Sequence, residues 1–509
     1  MCSGGVAVKR KAWSNMKIGF DNLSYMEKQT EQILERVERF NHKLYLEFGG
    51  KLFDDYHAAR VLPGFDVNGK ILLLEKMKDN IEIILCISAA DIERNKIRDD
   101  WGITYDMDAL RLVDSIRKMG LYLSSIVITL YHDQPSADMF KNKLERRGEK
   151  VYVHRFTKGY PTNIDLVVSD VGYGANSYIE TTKPLVVVTA PGPGSGKLAT
   201  CLSQIYHEHR RDIYAGYAKF ETFPIWNLPL QHPVNLAYEA ATADLSDVNA
   251  LDPYHLETYG ETTVNYNRDI EVFPIIKNIL ARIAGMDKVY NSPTEMGVNM
   301  AGYCITDDET VREAAKQEIV RRYFKTWCHY KEGRMGTNSV EKIDIIMKQL
   351  GITPEYGLVV IPALEKSAQN KCPAMALMLG DGSIVTGRAT NVLTAASSLV
   401  LNCVKRLAGI PDEIHLIAPA VLEPMLTLRT KILYEKNPLL NLEEVLNALS
   451  ICAATAPSAE KCLYKLRDLK GCEAHSSHML SKADESALRK LGITVTCTPE
   501  FPSDDLYHT

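Results

Sequence analysis

Between residue 43 and about residue 230, short and almost continuously apolar runs alternate with longer segments whose apolar residues return every three or four positions. The first class reads as strands covered on both faces, the second as helices. Strands are predicted over 43–48, 81–87, 125–130, 151–155, 166–169, 185–189 and 213–220, with helices such as 108–119 and 136–147 between them. This alternation predicts an α/β fold: a mostly parallel, Rossmann-like or P-loop-like sheet joined by right-handed crossovers. From 234 to 350 the pattern turns helical, over 234–245, 275–284, 307–324 and 339–350. There Ile275, Ile276, Ile279, Leu280 and Ile283 form an apolar stripe, and Thr306-Asp-Asp-Glu309 has the form of a capping box. The last third returns to α/β character. It carries a predicted strand at 358–362, a hairpin at 374–386 turning on Gly380-Asp-Gly382, and a buried helix at 392–407. Segment 415–418, two helices through 469, a helix at 484–491 and a strand at 493–497 complete it. The predicted organisation is an extension over 1–15, an α/β domain over 16–233, a helical domain over 234–350 and a smaller α/β domain over 351–509.

Composition narrows the function classes. Apolar and charged fractions of 46% and 24% are those of a globular chain, and 509 residues exceed a single ordinary core. A net charge of -5 argues against nucleic acid as a partner, which calls for a basic excess. No apolar run approaches the roughly 20 residues that span a bilayer, so no membrane partner is expected. Lys9, Arg10 and Lys11 precede no apolar segment, so no secretory signal is read. The 11 scattered cysteines include no C-x-x-C pair, which fits a reducing cytoplasm.

The candidate chemistry centres on Leu185-Val-Val-Val-Thr-Ala-Pro-Gly-Pro-Gly-Ser-Gly-Lys197, where a strand feeds a glycine-rich bend and then a helix. Glycines let amides crowd an anion, the helix N-terminus adds positive potential, and Lys197 adds a charge for phosphate. Gly192, Gly194, Ser195, Gly196 and Lys197 are therefore expected to bind a phosphorylated ligand, such as ATP or another nucleotide with magnesium. Against the usual G-x-x-x-x-G-K-[ST] loop, Pro191 replaces the first glycine and Leu198 the magnesium-binding hydroxyl. Other strand ends converge on the same edge of a doubly wound sheet. They bring Gly49, Gly50 and Lys51 after the first strand, Lys219 and Glu221 after a later one, and Asp133 and Asp170 as candidate magnesium ligands. Arg388, ahead of a buried helix, is a further anion contact, while Glu473 and His475 are candidates for acid–base or binding roles. His207-Glu-His209 reads as solvated helix residues, because i and i+2 face apart. Cys472, His475 and His478 are zinc-ligand types without a paired motif, and zinc is not expected.

Several phrases together resemble a bacterial family, uncharacterised protein family 0371, or domain of unknown function 1846. They are Met16-Lys-Ile-Gly-Phe-Asp21, Ala190-Pro-Gly-Pro-Gly-Ser-Gly-Lys197, Ala215-Gly-Tyr-Ala-Lys-Phe-Glu-Thr-Phe-Pro224, His232-Pro-Val-Asn-Leu-Ala-Tyr-Glu239 and Gly471-Cys-Glu-Ala-His-Ser-Ser477. The resemblance implies α/β ends with a helical middle. Some members carry the label of ATP-dependent zinc protease; this chain has a loop suited to the first half but lacks the H-E-x-x-H motif of the second. The expected function is binding of a nucleotide or other phosphorylated small molecule, as in an ATP-dependent transferase or hydrolase. A non-catalytic phosphometabolite sensor or oligomeric scaffold is the alternative, a zinc hydrolase the lesser one, and homo-oligomer formation stays open.

Overall fold

A computed structural model describes residues 17–98, 102–245, 247–285 and 289–503. The extension expected over 1–15 lies outside the described residues. Two compact units emerge, one of Ile18–Glu239 with Asp247–Ala315, the other of 240–245 with the chain from Lys316 onward.

The first unit is built on a 7-stranded sheet whose paired neighbours all run parallel. Its strands are β1 (Leu44–Phe48), β2 (Ile81–Ser88), β3 (Leu123–Thr129), β4 (Val151–Val153), β5 (Leu185–Thr189), β6 (Gly216–Phe220) and β7 (Gly297–Val298). In space they lie in the order β7-β6-β1-β5-β2-β3-β4. Every residue of β2, β3 and β5 is buried, as the continuous apolar runs required. Helices α1 (Asn22–Arg39), α2 (Lys197–His209) and α3 (Asn267–Ala284) belong to this unit, and α2 packs on β1, β5 and β6.

The strand order has a directional break. From β1 the chain steps over β5 to reach β2, whereas from β5 it steps over β1 to reach β6. With right-handed crossovers, these opposite steps send the two connections to opposite faces. The loops leaving β1 and β5 therefore part above the sheet, which is where ligands enter doubly wound folds.

Three expectations change. Residues 166–169 form no strand: Asn163 caps the short helix Ile164–Val167, its side chain accepting from Leu166 N. Segment 358–362 is a turn leading into helix Val360–Asn370, with Pro362 tolerated in the first helical turn. The middle of the chain is not purely helical, because Gly297–Val298 extends the main sheet.

In the second unit, helix α4 (Asp308–Lys331) continues from the first, and a 4-stranded sheet follows. Its strands are β8 (Ala374–Met378), β9 (Ile384–Arg388), β10 (Glu473–Ser476) and β11 (Thr494–Cys497), ordered β9-β8-β10-β11. β8 and β9 form the antiparallel hairpin expected around Gly380-Asp-Gly382, and β10 pairs β11 in parallel. Met375 and Leu377 pack with Leu399 and Cys403 of helix Ala395–Ala408 and Leu449 of helix Leu442–Ala453.

Candidate functional site

The loop between β5 and α2 is held from below. Thr129 Oγ1, at the end of β3, donates to Ser195 O (2.7 Å), and Ser195 Oγ donates to Gly192 O (3.0 Å). Ser195 therefore spends its hydroxyl inside the loop. A Cβ on Gly192 would lie 2.6 Å from Tyr105 Oη, and one on Gly196 would lie 2.9 Å from Thr129 Cβ. Gly194 and Gly196 take φ of +70° and +76°, the left-handed region that glycine adopts without cost. Gly196 caps α2 with no side-chain acceptor. Among the described residues, no group accepts from the amides of residues 194–199. Lys197, partly exposed at the first turn, makes no ion pair there either, though its charge reaches the Cys86 and Cys201 thiols. Unspent amides, a helix N-terminus and an ammonium outside any ion pair together form a cradle with the groups that helix starts use for anions.

Next to it, across β1, lies a buried polar cluster. In register, Glu47 on β1 stands beside Val188 on β5 and Lys219 on β6, so the cradle and the end of β6 are two strand spacings apart, about 10 Å. Lys219 Nζ bridges Glu221 Oε1 (2.7 Å) and Asp269 of α3, while Tyr217 Oη donates to Glu47 Oε2 (2.8 Å). Burial alone would lower the Lys219 ammonium, but Asp269, Glu221 and Glu47 outweigh it and hold its pKa above the usual lysine range. Burial pushes Glu221 up; Lys219 opposes this and Asp269 reinforces it, leaving a pKa of about 7. Gly49, Gly50 and Lys51 lead out of β1 beside this cluster. Gly49 N donates to Phe220 O (3.0 Å), and a Cβ on Gly50 would lie 3.2 Å from Lys70 Nζ. Lys70 is buried against Asp55 (2.7 Å); burial would raise that carboxyl, yet the Lys70 ammonium keeps it below its ordinary value.

The family model described as "Domain of unknown function DUF1846, N-terminal" matches residues 18–351, and "Domain of unknown function DUF1846, C-terminal" matches 355–507. The chain belongs to the DUF1846 family. Relatives described as UPF0371 protein agree with this. One from Clostridium botulinum (strain Alaska E43 / Type E3) is 56% identical over 501 residues, covering 97% of this chain and 100% of the relative. Another from Clostridioides difficile (strain 630) is 55% identical over 502 residues with the same coverage, and one from Clostridium tetani is 56% identical over 501 residues.

In this DUF1846 chain the remaining candidates lie elsewhere. Asp170 is not at a strand end. It accepts from Tyr206 Oη (2.9 Å) and lies 3.6 Å from Arg210, near the far end of α2 and about 13 Å along the helix from Lys197. Asp133 follows β3 at the correct edge, but it is exposed and bound by Arg155 at 2.7 and 3.0 Å. Arg388, Glu473 and His475 belong to the second unit. Arg388 is exposed at the end of β9, and the helix that follows is capped by Thr394 instead. Glu473 pairs with Arg321 (2.5 Å). His475 is buried between Thr496 Oγ1 (2.8 Å) and Thr498 Oγ1 (3.1 Å), and burial lowers its pKa to about 3. Glu208 corrects another reading: it is fully buried, accepting from Tyr45 Oη (2.6 Å) and Thr181 Oγ1 (3.2 Å).

Among the described residues, no group of three or more His, Cys, Asp or Glu side chains is arranged to hold a metal, and none of the helices is long and apolar enough to cross a membrane. A wide surface groove of about 490 Å³ runs along α1, but Glu27, Glu31, Glu35 and Glu38 line it and would repel phosphate. Asp269, Tyr266 and Trp226 at the β6 end carried no signal in the sequence. Tyr266 and Asp269 come from a segment that only the tertiary fold brings to Lys219 and Glu221, whereas Trp226 follows Glu221 closely along the chain.

Proposed function

We propose that this chain binds a phosphorylated small molecule, with a nucleotide di- or triphosphate as the leading candidate, in the crevice between the loops leaving β1 and β5. The observation that carries the reading is the set of unspent amides at residues 194–199 above an uncompensated Lys197. The amides hold phosphate oxygens and Lys197 neutralises their charge. If a phosphoryl group is transferred, positioning and charge stabilisation do most of the work. Asp170 and Asp133 do not fit the magnesium role expected of them, so any magnesium would arrive on the nucleotide without a ligand assigned from the protein.

Calorimetry with ATP, GTP, inorganic triphosphate and sugar phosphates tests this. Wild-type protein is expected to bind at least one of them, and Lys197→Ala to lose ten-fold or more in affinity, the order of one charge-assisted contact. Equal affinity in both proteins for every compound that binds rejects the assignment. Leu198 in place of the hydroxyl favours a second reading, a sensor that binds without turnover; it predicts a ligand-dependent thermal shift with no phosphate release over hours.

A further inference from the structure

We propose that Glu221 is the proton-transfer group of this crevice, exchanging a proton with a hydroxyl or carbonyl oxygen of the ligand whose phosphate lies on the amides of residues 194–199. The proposal rests on the phosphate reading above and adds the chemistry at the ligand's other end. The separation of about 10 Å between the ends of β5 and β6 suits a small phosphorylated metabolite lying across the end of β1.

The surroundings of Glu221 are unlike those of a structural carboxylate. Glu221 is 4% exposed, yet its partners Lys219 and Asp269 keep 21% and 24% of their side-chain surface, which gives the cluster one open side. Beside it stands a donor that no described protein group uses: Trp226 Nε1 is a buried atom without a hydrogen-bond acceptor among the described residues. Tyr266, more than nine-tenths buried, spends its hydroxyl on Tyr238, and its ring lies under Lys219 Nζ at 5.7 Å. Left unspent, the Trp226 indole N–H offers a hydrogen bond to an incoming oxygen. Gly297 permits close packing on one side of the cluster: a Cβ there would lie 2.6 Å from the Trp226 ring and 3.2 Å from Glu221 Oε2.

The charged and titratable groups facing this point are Lys219 on β6, Asp269 on α3, Glu47 on β1, and the Tyr266 and Tyr238 hydroxyls. Burial and the nearby Asp269 carboxylate, against the Lys219 ammonium, hold the Glu221 carboxyl well above the ordinary carboxylate value and toward the neutral range, where a carboxyl serves as acid or base. As an acid, its O–H bond breaks while a new O–H bond forms on the ligand oxygen. The carboxylate left behind faces Lys219, which balances its charge. The reverse transfer makes it a base.

Infrared difference spectra of wild type against Glu221→Gln between pH 5 and 9 read the proton directly. A carboxyl C=O band that disappears with a midpoint near pH 7 is expected; its absence throughout overturns the proposal. Calorimetry at pH 7 in buffers of different ionisation enthalpy then compares inorganic triphosphate with ATP, glycerol phosphate and dihydroxyacetone phosphate. At least one organic phosphate is expected to bind with proton exchange that Glu221→Gln abolishes and Glu221→Asp, which withdraws the carboxyl, reduces. Binding of organic phosphates with the same proton exchange in all three proteins, or with none, overturns it while leaving the phosphate reading intact. If no phosphate compound binds, the phosphate reading fails and this proposal falls with it.

Discussion

Gly194 and Gly196 look alike in the sequence and differ in what surrounds them. Both take positive φ, but an added Cβ at Gly194 meets nothing within 4 Å, whereas at Gly196 it presses on Thr129. Gly194→Ala is expected to cost about 1 kcal/mol of stability from backbone strain alone. Gly196→Ala should cost roughly 2–3 kcal/mol, since a clash with a fully packed strand end is added to that strain. Urea denaturation of the two variants checks the difference, and equal losses would show that the Thr129 contact does not matter. The glycine–lysine spacing was legible because local backbone freedom and a helix N-terminus are properties of consecutive residues. The inward turn of the Ser195 hydroxyl was not, since it depends on where Gly192 O lies after the loop has closed.

Among the elements, α2 serves two ends at once. Its N-terminus faces the crevice, and its C-terminal turn is fixed to the sheet by Glu208, which receives Tyr45 and Thr181 and lies 3.8 Å from Lys43 Nζ. Glu208→Ala would leave Lys43, already held below its usual pKa by burial, without its stronger counter-charge, Glu82 alone remaining. A loss of roughly 3–5 kcal/mol is expected. Amide hydrogen exchange should then speed up along 197–209, carrying the loosening to the cradle; unchanged protection there would uncouple the two ends. The His207-Glu-His209 pattern on its own gave no sign of this anchor. A glutamate next to two histidines reads as solvated until Tyr45 and Thr181 are brought above it from other segments. Strand 166–169 fails for a related reason. Four apolar or small residues fit either period, and the Asn163 cap decides for helix.

For the whole molecule, each unit holds a histidine that burial keeps in its neutral form. Burial lowers His154 in the first unit to about 4 and His475 in the second to about 3. Unfolded histidines titrate near 6.5, so below that pH the unfolded chain takes up protons that the folded chain refuses. Stability is therefore full above about pH 6.5 and falls as the pH drops toward the folded values. At pH 5 the loss from His475 alone is roughly 2 kcal/mol. Urea midpoints measured from pH 7 to 5 should fall less steeply for His475→Gln than for wild type, and parallel curves would remove His475 as the cause. Sequence reading gave His475 an acid–base or binding role. Its two threonine partners sit on and just after β11, a strand whose pairing with β10 is set by the sheet and not by nearby sequence.

The sequence by itself determined the parallel α/β character, the glycine–lysine bend at the start of α2 and the family. Those depend on short-range periodicity, on glycines next to a helix start, and on phrases read in order. Only the tertiary structure decided that β1 and β5 are neighbours whose connections part in opposite directions. It also decided that Asp269 and Tyr266 meet Lys219 beside Glu221, and that Asp170 lies at the wrong end of α2. The reason is physical: strand order and side-chain convergence are fixed by burying distant apolar faces together, and that choice leaves no mark in any single stretch of the chain.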